Sequence, residues 1–122
     1  MIAHEIEAFG RHLGIEGLEW TSDEPLRLEI EPSDTLEIRA LGERLVVALS
    51  RRQTYPESPS AARLLELVHY EHTSGVPVHC RRADFGRTNI FYVLLPLEIV
   101  QAGEIASALD AMTKLHNLAD SV

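Results

Sequence analysis

At 122 residues, with 45% hydrophobic and 25% charged side chains, the sequence is sized and composed for one folded domain spanning 1–122. A formal net charge of −8 repels phosphate backbones and anionic lipid, so neither nucleic acid nor a membrane surface is expected as a partner. The single cysteine, Cys80, excludes an intrachain disulfide and suits a reducing, cytoplasmic setting, no apolar run approaches the ~18 residues of a membrane span, and the acids near Met1 stand where a secretory leader carries Lys or Arg.

Ile2, Ile6, Phe9 and Leu13 recur at helical spacing, with charged residues between them, and predict an amphipathic first helix. Gly14 suits the left-handed residue that ends it. Residues 26–31 and 35–40 alternate apolar and charged side chains, as half-solvated antiparallel strands do. Residues 45–49 are continuously apolar, which predicts a more central strand covered on both faces. Pro32-Ser33-Asp34 and Gly42-Glu43 mark the two turns of this meander. Ser58-Pro59 is a cap and first-turn pair for a second helix over 59–72, with Ala61, Leu64, Leu65 and Val68 on one face. Residues 76–82 predict a short strand, and its Pro77 favours a sheet edge because proline cannot donate to the ladder. After a turn over 83–87, residues 89–95 form a second apolar strand that Pro96 stops. Ile105, Ala108, Leu109, Met112 and Leu115 or His116 predict a third helix ending near Asp120. The order is α-β-β-β-α-β-β-α, an α+β class with a five-stranded antiparallel sheet and packed helices.

Catalytic and metal patterns are weak. His69, His72, His79 and Cys80 cluster in sequence, but neither the paired cysteines of a zinc finger nor a zincin helix is present. Cys80 with His79 as base is disfavoured because neighbouring strand residues point to opposite faces. Glu29, Glu31 and Glu37 fall on polar strand positions that a solvated face requires anyway. No phosphate loop, dinucleotide fingerprint or nucleophile elbow occurs. No cofactor, no metal and no enzymatic turnover are therefore expected. Trp20 and Tyr55, in predicted loops, read either as partner anchors or as covers for the core.

Taken jointly, Phe9-Gly-Arg-His-Leu-Gly-Ile15, Pro25 to Ile30, Asp34 to Ile38, Leu45 to Ser50, Asn89 to Leu95 and Ile105 to Met112 resemble the class I type III secretion chaperones of the CesT-like superfamily, most similarly the SycN-like branch. The resemblance implies a dimeric, ATP-independent chaperone that holds an unfolded N-proximal segment of a secreted effector or gatekeeper protein ready for export. It implies cargo grooves at the first helix and neighbouring strands, strand addition to an exposed edge, and a dimer contact from the second helix. Homodimer and heterodimer with a second small chaperone both stay open. On that basis Phe9, Leu13, Leu28 and Ile38 are the expected partner-binding residues, with Ile2 and Ile6 on the core side. Ala61, Leu64, Leu65 and Val68 are the expected dimer interface. The alternatives are a small dimeric α+β enzyme or ligand carrier, with His79, Tyr92 or a strand acid in a pocket between sheet and helix, and an adaptor for a folded partner.

Overall fold

The two apolar runs of the sequence become neighbouring inner strands of one sheet. The computed structural model describes residues 2–21, 23–31, 33–53, 61–69, 77–84 and 86–120. Its elements are α1 (Ile2–His12), β1 (Leu26–Glu31), β2 (Asp34–Leu41), β3 (Arg44–Arg52), α2 (Ala61–His69), β4 (His79–Ala83), β5 (Thr88–Pro96) and α3 (Ala102–Asp120). The strands form a five-stranded antiparallel sheet in the order β1-β2-β3-β5-β4. This is the predicted α+β architecture, element for element.

Strand alternation divides the sheet into two unlike faces. Leu36 and Ile38, Leu45, Val47 and Leu49, and Phe91, Val93 and Leu95 point to one side and are buried. On that side α1 contributes Ile6 and Phe9, α2 contributes Leu64 and Leu67, and α3 contributes Ile105, Met112 and Leu115 to one continuous core. Burial of each such side chain stabilises the fold by about 1.5–3 kcal/mol. The opposite side carries no described helix. β3 is the central strand, as its apolar run predicts, and the described helices cover one of its faces. All three helices share one layer.

Local chemistry fixes the ends of the elements. Gly14, at φ 85°, is the left-handed residue that stops α1. The chain then turns back so closely that a Cβ on Gly10 would lie 2.8 Å from Leu18 Cβ. At the start of α3 the backbone N–H of Gln101 donates to Glu104 Oε1 at 2.9 Å, the return half of a capping box. The next orphan donor, Ala102 N–H, is taken by Glu5 Oε1 of α1 at 3.0 Å, so one helix caps another. Trp20 is buried and covers one end of the core. β4 begins at His79, later than predicted, and lies at the sheet edge with Pro77 just ahead of it. Of the predicted second helix, residues 59–60 and 70–72 lie outside the described residues, as does Tyr55.

Candidate functional site

β1 is an edge strand: β2 lies on one side, and no described strand lies on the other. Its residues alternate, so Leu26, Leu28 and Ile30 face the helix layer while Arg27 and Glu29 face away. Leu26 pairs with Ile38 and Leu28 with Leu36. Ile38 and Leu36 have no accessible surface, whereas Leu26, Leu28 and Ile30 remain half-buried against the core. Leu13 and Leu18, just beyond α1, are half-buried on the same core. Leu26, Leu28 and Ile30 thus form an apolar strip along a strand whose outer edge has no described pairing. A polypeptide in extended form fits such a surface through main-chain hydrogen bonds and alternate side chains. Across the strand the polar face is secured by Arg27 Nε donating to Glu37 Oε2 at 2.8 Å.

The expected partner-binding residues therefore divide. Leu28 retains surface on this strip, and Leu13 retains surface just beyond α1. Phe9 and Ile38 are fully buried, and the expectation that they line an open groove is corrected. The cause is the width of the helical stripe: Ile6 and Phe9 both turn inward beneath α3, and only its ends at Ile2 and Leu13 reach the rim. The expected interface residues of α2 divide likewise. Leu64 is in the core, Val68 is half-buried, and Leu65 is 60% exposed. The side chain of Ala61 lies outside the described residues.

The chemistry considered for catalysis is dispersed. His79 is exposed and stacks on Tyr92, with ring centroids 5.1 Å apart, on the helix-free face. Cys80 points to the other face, where burial pushes its thiol pKa up and Arg82 pulls against that shift. A raised pKa disfavours the thiolate that a nucleophile needs. Among the described residues no three His, Cys, Asp or Glu groups converge in a metal-binding arrangement. The side chains of His69, His72 and Glu31 lie outside the described set.

One polar cluster was not foreseen. Arg51 of β3 donates through Nε and Nη2 to the two oxygens of Asp34, at 2.6 and 2.7 Å, and through Nη1 to Asp120 and Asn117 of α3. The hydrogen bonds to Asp34 hold the guanidinium pKa above its ordinary value, although burial opposes this. Beneath it, His116 is fully buried, and its Nε2 lies 2.8 Å from the Leu49 carbonyl. The carbonyl only accepts, so Nε2 carries the proton. The Arg51-Arg52 pair in the sequence gives no sign that one arginine turns inward while its neighbour stays in solvent; strand alternation is the only clue.

Neither a protein-family model nor a curated protein sequence matches the chain. Solved structures do. The type III secretion chaperone SycH of Yersinia pestis, solved with a stable fragment of YscM2, superposes with a TM-score of 0.67 at 14% identity, covering 99% of this chain and 98% of that one. This chain has the type III secretion chaperone fold. A chain of the heterodimeric ExoU–SpcU complex of the Pseudomonas aeruginosa type III secretion system gives 0.63 at 17% identity, with 93% of both chains covered. A chain of the HopA1–SchA chaperone–effector complex gives 0.61 at 14% identity, over 97% of this chain and 89% of that one. YbjN of E. coli also shares the fold, at a TM-score of 0.58. Fold alone therefore leaves function to be argued from the surface. Among the described residues no helix is long and apolar enough to cross a membrane.

Proposed function

We propose that this protein is a cytoplasmic, non-enzymatic type III secretion chaperone that binds an unfolded N-proximal segment of a secreted effector or gatekeeper protein and keeps it competent for export. The observation that carries this reading is the apolar strip of Leu26, Leu28 and Ile30 along the edge strand β1, with Leu13 a further half-buried apolar position on the same core. Ordering a disordered segment costs free energy, which main-chain pairing and apolar contact along such a strip offset. The chaperone and chaperone–effector complexes among the fold neighbours support the same reading. A dimer through the outer face of α2, either with a second copy or with another small chaperone, belongs to the proposal. Pairing with a different chaperone and a gatekeeper cargo would follow if the SycN-like resemblance holds. The ligand-carrier alternative needs a pocket between sheet and helix, where Phe9, Phe91, Met112 and Leu115 are buried in the core.

The test is co-expression with candidate secreted effector proteins, followed by co-purification of wild type and of Leu13→Asp/Leu28→Asp. Both positions are half-exposed, so the variant should stay folded while retaining at least tenfold less cargo. A folded variant that retains cargo as wild type does would remove the strip from the binding site.

A further inference from the structure

The side of the sheet away from the helices is not the solvated surface that an open face ordinarily presents. On β1 that side is charged, with Arg27 and Glu29, as water requires. On the inner strands it is apolar. Val46 and Ala48 of β3 lie beside Leu94 and Tyr92 of β5, and Ser50 beside Ile90. Ala48 and Ser50 are small and form the floor of a trough of about 360 Å³, open to solvent. Its apolar stretch runs roughly 14 Å along the strands, at ~3.4 Å per residue. Ile90, Tyr92 and Leu94 are all partly exposed in it. A contiguous apolar patch with a polar rim marks an interaction surface.

The rim has the opposite sign to the molecule. Arg39, Arg44, Arg52 and Arg81 occupy open-face positions around the trough and are exposed. Among the described residues no carboxylate pairs with Arg44, Arg52 or Arg81. Of the described acids on this side, Glu37 is held by Arg27 and lies 3.9 Å from Arg39, Asp84 accepts from the Thr88 hydroxyl, and Glu29 is exposed on β1. Among the described side chains of this face, five arginines thus stand beside three carboxylates, in a chain whose net charge is −8. A second copy docked face to face would bring arginine rims together, so the field disfavours it.

We propose that this face is a docking surface for an acidic polypeptide segment, with bulky apolar side chains entering the trough and flanking aspartates or glutamates meeting the arginine rim. It lies across the sheet from the β1 strip of Leu26, Leu28 and Ile30, so it stands or falls separately from that site. The probes are two synthetic nonapeptides in which leucine or valine alternates with glutamate in one and with lysine in the other. Titration into the full chain is followed through backbone amide NMR shifts. The acidic peptide should perturb Ala48, Tyr92 and Leu94 saturably and weaken as salt rises. It should bind at least tenfold less well to Arg39→Glu/Arg81→Glu, a variant altered only at exposed positions, and the lysine peptide should gain on that variant. Perturbation confined to Leu13 and residues 26–30 would overturn this surface while leaving the β1 strip standing. Equal binding of both peptides, no saturable perturbation, or shifts of the same amides on simple concentration of the free protein would each overturn it as well.

Discussion

Phe9 and Leu13 sit four residues apart on one stripe, yet the structure gives them different work. Phe9 has no accessible surface, so Phe9→Ala should destabilise the fold by about 3–5 kcal/mol, as truncations of buried aromatics do. Leu13→Ala, at the rim, should cost clearly less in the same urea titration. Equal losses would place Leu13 in the core and weaken the binding strip. His116 makes a pH-dependent contribution. Burial disfavours its imidazolium and lowers its pKa, with Arg51 acting in the same direction and the Leu49 carbonyl, Asp34 and Asp120 opposing. The unfolded chain, near ~6.5, then binds a proton that the folded chain resists. Stability from this residue is complete above ~6.5 and falls as pH drops through that value, with a slope approaching about 1.4 kcal/mol per pH unit. Unfolding midpoints measured between pH 7.5 and 5 should fall more steeply in wild type than in His116→Gln; parallel curves would contradict the assignment.

At the scale of elements, α3 is joined to the sheet by two polar devices besides its apolar stripe. One is the Arg51 fork on Asp34, which is almost fully buried, extended to Asp120. Removing one partner of a buried pair leaves the other charge uncompensated, a loss of about 3–5 kcal/mol. Arg51→Ala should approach the lower end of that range because Asp120 is partly exposed. Arg51→Lys should recover little, since one ammonium cannot span both carboxylates with fork geometry. Full recovery by lysine in thermal melts would show that charge alone matters. The other device is the Glu5 cap on α3, and neither was legible in the sequence. Periodicity shows which positions are apolar, and from it the eight elements and their order follow, while Pro77 gives the edge position of β4. It says nothing of which charged residues meet after the chain folds: Asp34 and Arg51 are neighbours across β2 and β3, but Glu5 and Ala102 are brought together only by tertiary packing. The same gap explains the candidate site. Phe9, Leu13, Leu28 and Ile38 are alike in pattern, and only the layout of α1 over the sheet separates core from rim. The Leu45–Leu49 run alone does not show what covers its second face, because a short apolar run looks the same whether a helix or a partner covers it.

For the whole molecule, the proposed dimer makes a sharper claim than the α2 stripe alone. The four residues expected at the interface cannot act alike, because Leu64 is already committed to the core and Leu65 stands 60% exposed. Ala62 and Glu66 beside Leu65 are exposed too, so a ridge on the outer side of α2 is available to a partner. An isolated leucine in solvent is common and costs little, and it becomes evidence only if another chain covers it. Leu65→Glu should therefore change the folding free energy of the isolated chain by no more than about 0.5 kcal/mol, the usual range for surface substitutions. If α2 forms the interface, the same change places a charge in an apolar contact and should disrupt the dimer. Leu64→Ala should do the reverse, costing about 2–5 kcal/mol of stability as core truncations do. Sedimentation reads the outcome directly: wild type at twice the 13.6 kDa chain mass, or at the summed mass of a co-expressed chaperone pair, and Leu65→Glu at the single-chain mass with its melting curve preserved. A variant that keeps the wild-type mass would move the interface off α2 and onto another surface of the chain.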